Sequence, residues 1–251
     1  MMPGGPESQV SSAQDAAGSG VLRRWEIWLL VSVLLYSLIP VVGGILRAVE
    51  LLGGPGVVPV NPRALVSPLP IVAHTLFSAL FCVGGVLQFL PSVRRRWPLW
   101  HRSLGYGVLV SGLISAATGL WMTHFFAFAV ALQGELLYVT RLILAPAMMV
   151  LLVWAGYAAA HRMFERHAAA MTRAYAIGQG ASTQTVLGIA WALVMGTELE
   201  GLTRDTVMVT AWVLNAVCAE LIIARFLPRR DGRKTNRYPL STDAGGLRDG
   251  I

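Results

Sequence analysis

The sequence predicts an all-α integral membrane protein: a bundle of six transmembrane helices with both termini in the cytoplasm. Three observations carry the prediction. Of 251 residues, 55% are hydrophobic and only 13% charged, with a mean hydropathy of +0.60, whereas soluble domains carry about a quarter charged residues. The apolar residues fall in blocks of about 20, the length at which a helix matches the hydrocarbon thickness of a bilayer. The basic residues collect in alternate connections between those blocks.

Residues 1–22 begin MMPGGPESQVSSAQDAAGSG, rich in Gly, Pro, Ser and Gln with no apolar period, which is the composition of a disordered tail. The membrane domain is expected over residues 23–228. Its first span, about 25–46, reads WEIWLLVSVLLYSLIPVVGGIL. It is too long for the apolar region of a secretory signal, and no small-residue cleavage site follows. An uncleaved span, kinked near Pro40, is the reading. Further spans are expected at about 69–90, 103–125, 136–160, 174–195 and 206–227. The fifth is the most polar, holding Gln179, Ser182, Thr183, Gln184 and Thr185. Residues 229–251 form a basic tail.

Arg23 and Arg24 precede the first span. Arg94, Arg95, Arg96 and Arg102 lie between the second and third, and Arg162, Arg166 and Arg173 between the fourth and fifth. Arg229, Arg230, Arg233, Lys234 and Arg237 follow the sixth. These segments alternate with the charge-poor stretches 47–68, 126–135 and 196–205. The positive-inside rule then places both termini in the cytoplasm of a bacterial inner (plasma) membrane. The net charge of +7 is thus a topology signal, and the expected partner is the lipid bilayer rather than nucleic acid. Trp25, Trp28, Trp97 and Trp100 fall where an interfacial aromatic belt belongs. Cys82 and Cys218 lie in apolar blocks, so no disulfide framework is indicated.

Ionisable and amide side chains inside a bilayer are costly, so each needs a partner or a function. At the inner side these are Gln88, His101, Arg102, Tyr106, His167, Arg173 and Glu220. At the outer side they are His74, His124 and Arg141. Gln179, Gln184 and Asn215 lie between. His74 fits either a bundle-facing hydrogen bond or a ligand or proton-relay role. His101 and His167 sit among arginines at similar depth, placed either for lipid phosphate or for a metal. Glu220 calls for an arginine from another span, because Arg225 is five residues away on the same helix. About 34 Å of helix separates His101 from His124, so the inner and outer groups form separate sites. Gly105, Gly112 and Gly119 recur every seventh residue, a spacing that admits a closely packed neighbour helix.

The segments HTLFSALFCVGGVLQFLPSVRRRWPLWHRSLGY, ERHAAAMTRAYA and WVLNAVCAE resemble the domain-of-unknown-function 2306 family of predicted bacterial membrane proteins. The resemblance rests on His74, Gln88, Phe89, His101, Arg102, Gly105, His167, Met171, Arg173, Trp212, Asn215 and Glu220. Tyr106 falls one place early in the pattern, and Ala170 stands where the family carries tryptophan. The resemblance implies a multi-pass fold over spans two to six and no particular reaction.

No Gly-x-Ser-x-Gly, HExxH, Walker or Cys-x-x-Cys-His sequence is present, so whether the chain is an enzyme stays open. The leading functional expectation is a b-type haem electron carrier. Its iron ligands would be drawn from His101 with His167 and His74 with His124, with a quinol or other membrane redox partner. The alternatives are a non-redox transporter or small-molecule or lipid-binding protein with a polar path through His74, Arg141, Gln184, Asn215 and Glu220, and a structural membrane partner.

Overall fold

The computed structural model describes residues 22–57, 67–126 and 128–227. The expected tails at 1–22 and 229–251 lie, apart from residue 22, outside the described residues. Among the described residues eight helices follow one another: α1 (Arg24–Leu51), α2 (Pro68–Gln88), α3 (Pro91–Arg96), α4 (Pro98–Phe125), α5 (Glu135–Ala160), α6 (Phe164–Gly178), α7 (Gly180–Met195) and α8 (Gly201–Phe226). Five of them, α1, α2, α4, α5 and α8, are long and apolar enough to cross a bilayer. Three start with Pro in the first turn (α2, α3 and α4), where its fixed φ suits the helix and its missing N–H costs nothing.

The fifth expected span departs from the expectation. It is two helices, α6 and α7, meeting at Gly178-Gln179-Gly180. Gln179 has φ −74° and ψ 0°, a rotation that interrupts the helical ladder. The carbonyls just before the interruption are taken by α8: Asn215 Nδ2 donates to Ala176 O (3.0 Å) and Trp212 Nε1 to Ile177 O (3.1 Å). Freed backbone groups at membrane depth survive where neighbouring helices satisfy them. Gly180 is required for this, since a Cβ there would run into the Trp212 indole. Counting residues of apolar sequence could not reveal the break, because its cause lies on another helix.

The core joins α2, α4, α5 and α6. Phe81 and Cys82 meet Val108, Ala116, Met148, Leu152 and Ala174, all buried. A second cluster unites Leu137 of α5 with Leu199 and Met208, against Trp191 and Trp212. Helix α1 lies at the periphery, packed on α2 and α7.

The contact between α2 and α4 is unusually regular. A Cβ on Gly119 would lie 3.1 Å from His74 Cε1, one on Gly112 would lie 2.7 Å from Phe81 Cδ2, and one on Gly105 would lie 3.2 Å from Gln88 Oε1. His74, Phe81 and Gln88 are themselves seven residues apart, so two antiparallel heptad stripes interlock. Each glycine seats one side chain of α2. The outer two of those three are polar, about 21 Å apart along the helix at 1.5 Å per residue.

Two buried carboxylates hold the helix ends. Glu26 of α1 accepts from the N–H of Arg23 and of Ser92, both at 2.7 Å, and so caps α3 as well as its own helix. Asp205 of α8 accepts from Gly134 N (3.1 Å) and Leu137 N (3.0 Å), capping α5. Helix N-termini leave N–H groups unsatisfied and carry partial positive charge, so a carboxylate serves both needs.

Candidate functional site

The polar residues singled out from the sequence sort into groups that differ in one property, whether their hydrogen-bonding capacity is used. In the middle group Gln179, Gln184 and Asn215 each have a protein partner. Gln179 is buried where α6 meets α7. Its Oε1 accepts from Ser37 Oγ (3.2 Å) and Ser182 Oγ (2.8 Å), and its Nε2 donates to Tyr175 Oη (2.9 Å). Tyr175 in turn donates to Cys82 O (2.7 Å). Thr183 Oγ1 donates to Asn215 Oδ1 (2.7 Å) and also bonds Tyr36 Oη. Gln184 Nε2 donates to Met208 O (3.1 Å). These bonds tie α1, α2, α6, α7 and α8 together through one polar knot.

At the end opposite the arginine-rich connections, His74 donates Nδ1–H to Ser115 O (2.9 Å) and lies against Gly119 in the α2–α4 seam. Arg141 bonds Gln133 and sits 5.8 Å from the Phe128 ring centroid. His124 is exposed, with Nδ1 at 3.0 Å from Tyr138 Oη. His124 is five residues past Gly119, which turns it about 140° away from the seam. The expected outer haem pair, His74 with His124, is therefore not brought together.

At the basic end the expected cluster of seven divides. Arg102 and Tyr106 are exposed and stack on each other, 5.9 Å from guanidinium to ring centroid. Arg173 and Glu220 form a two-pronged ion pair between α6 and α8, at 2.5 and 2.8 Å. Their side chains are 40% and 56% exposed, so solvent or headgroup screening leaves such a pair with little net stabilisation.

The remaining three, Gln88, His101 and His167, are recessed. The Gln88 amide lies over Gly105, one helical turn from His101 on the same face of α4. His101 has Arg94 and His167 as electrostatic neighbours. His167 donates Nδ1–H to Ala155 O (2.9 Å), which leaves its Nε2 as the lone-pair nitrogen. Gln88 Nε2 and His101 Nδ1 are buried and have no hydrogen-bond partner. Among the described residues the only other such side-chain atom is Trp191 Nε1, at the far end of α7. No group of three or more His, Cys, Asp or Glu side chains is gathered for a metal ion among the described residues.

Sequence reasoning missed Glu26, Asp205, Tyr36, Ser37 and Tyr175. Glu26 carried a signal, being a carboxylate inside the first turn of an apolar block. The others are ordinary residues whose roles depend on which helix arrives opposite them.

A family profile described as "Predicted membrane protein (DUF2306)" matches residues 71–223. That stretch holds every residue of the recessed trio and of the polar knot except Tyr36 and Ser37. No curated protein and no solved structure matches the chain.

The knot is the part whose disruption costs stability directly. Gln179→Leu leaves the Ser37 and Ser182 hydroxyls without their shared acceptor. The expected loss is about 2 kcal/mol or more, read as a lowered unfolding midpoint of the purified protein in mild detergent. An unchanged midpoint would mean that the knot does not hold the helices.

Proposed function

The chain belongs to the DUF2306 family of predicted membrane proteins, and from that premise we propose that it is a six-span plasma-membrane protein that binds a small ligand at its basic end. Helix α7, at 16 residues, rises only about 24 Å and falls short of the hydrocarbon thickness. Together with the last turns of α6 it is long enough, which supports an interrupted sixth crossing. The alternation of arginine-rich and arginine-poor connections supports cytoplasmic termini, and helical spans suit a bacterial plasma membrane rather than an outer membrane of barrels. A reporter fused after Arg96 is expected to read cytoplasmic, and one placed in the 128–134 connection external. The reverse pattern overturns the topology.

One observation carries the ligand-binding reading. In a bundle whose other described polar side chains are almost all engaged, Gln88 Nε2 and His101 Nδ1 are buried and unpartnered, the Gln88 amide lying over Gly105, one helical turn from His101. A purely structural pair would have evolved partners or apolar replacements, because an unmet buried donor costs about 1–3 kcal/mol. The cost is offset when a ligand supplies the missing partners. Gln88→Leu, close in volume and without the amide, is therefore expected to raise the unfolding midpoint of the ligand-free protein. A fall comparable to that of Gln179→Leu would assign the trio to structure and sink the binding reading.

A second reading, haem or another metal bound for electron transfer with a quinol-type partner, is favoured by one bond. The Nδ1–H of His167 is fixed on a backbone carbonyl, the arrangement that ligating histidines use to orient the other nitrogen. It weighs less because the outer pair is not assembled and because the group left buried and unmet on Gln88 is an N–H donor, which a metal ion does not satisfy. Protein purified from haem-replete cells settles this by its absorption spectrum. A Soret band abolished by His101→Ala or His167→Ala moves the assignment to haem, and a colourless preparation removes it.

A further inference from the structure

Resting on that ligand-binding reading, we infer that the group held between Gln88 and His101 is an oxyanion, a carboxylate or a phosphate. The polarity of the open valence points to an oxyanion. Gln88 turns Oε1 towards Gly105, 3.2 Å from where a Cβ would stand, and leaves Nε2 unbonded. Its free group is thus an N–H donor, which meets an acceptor oxygen and repels a metal cation. His101 Nδ1, the second unbonded atom, donates in one of the two neutral tautomers and in the imidazolium.

The charge around the pair points the same way. Its electrostatic neighbours are the Arg94 guanidinium and the His167 imidazole. His101 lies in the first turn of α4, four residues into a helix of 28, where backbone N–H groups and the dipole also favour negative charge. The nearby carboxylates are committed: Glu26 to the N–H groups of Arg23 and Ser92, and Glu220 to Arg173. Glu165, two residues before His167 on α6, is exposed. Two unmet side-chain donors and a guanidinium thus reach this spot from α2, α4 and α3, and no carboxylate stands among the charged neighbours of His101.

Position agrees with charge. The pair lies at the ends of α2 and α4 beside the arginine-rich α3, at the level where the bundle meets headgroups and cytoplasm in the proposed topology. The same oxyanion chemistry can come from a phospholipid headgroup of that leaflet or from a free cytoplasmic anion. Arg94, exposed on α3, is placed to meet the anion as it enters.

The test uses the full chain in nanodiscs of phosphatidylcholine, with ionic strength held constant by chloride. The unfolding midpoint is followed during titration with inorganic phosphate and, separately, with acetate. It is also measured in nanodiscs containing phosphatidylglycerol without either anion. A saturating rise with phosphate or acetate identifies a free-anion site, and a rise only with phosphatidylglycerol identifies a headgroup site. In either case Gln88→Leu and Arg94→Gln are expected to weaken the effect roughly tenfold or more. No rise in any arm, or a rise that Gln88→Leu leaves unchanged, overturns the oxyanion assignment. The two levels separate cleanly. If Gln88→Leu stabilises the ligand-free protein and no oxyanion shifts it, the ligand class is wrong and the site stands. If Gln88→Leu destabilises the ligand-free protein, the site itself falls.

Discussion

The architecture depends on the interlocked heptads of α2 and α4. Inside a bilayer, helices gain nothing from leaving one apolar surface for another, so association rests on close packing and interhelical hydrogen bonds. Three glycines on α4 let three side chains of α2 approach to contact: His74, Phe81 and Gln88. Because the helices are antiparallel with the same seven-residue period, one register satisfies all three at once, a shift of a whole heptad loses at least one, and any smaller shift loses all. The Phe81 ring at the centre also meets Gly178 of α6 and belongs to the core shared with α5. The seam therefore places α6, and through it the interruption and the α8 residues that cover its carbonyls.

Polar residues in such a fold have two possible uses, and their hydrogen-bond state separates them. Gln179, Thr183, Gln184 and Asn215 all have protein partners. They act as the hydrophobic core acts in a soluble protein, choosing one arrangement of helices among several of similar apolar area. Gln88 of α2 and His101 of α4, at the basic end of the same bundle, are left open. The contrast matters more than either observation alone, since it comes from a single bundle with one solvent history.

The all-helical fold and its five long apolar helices could be read from composition because hydropathy is a local property of a chain facing lipid. Glycines at 105, 112 and 119 announced a close contact, although their partner stripe at 74, 81 and 88 went unnoticed. That stripe mixes His, Phe and Gln, so only its spacing, not its chemistry, marks it. The break at Gln179 was illegible for a different reason: flanking glycines permit an interruption, but Trp212 and Asn215 decide it from another helix. The grouping of His74 with His124 failed on helical phase, since nearness to the same membrane face says nothing about direction around the axis. The profile match to residues 71–223 agrees with the resemblance carried by the same segments.

Glu26 has a bearing on how the chain is made. Its carboxylate lies in the first turn of the first span, and the N–H it caps belongs to Ser92, 66 residues later. At synthesis rates of about 5–20 residues per second, that partner follows several seconds after the carboxylate has left the ribosome. During the interval α1 carries a charge with only its own Arg23 N–H to meet it, and Ser37 and Tyr36 await partners more than 140 residues downstream. Among the described hydrogen bonds, those of α1 thus reach furthest along the chain, and they form only once α7 is in place.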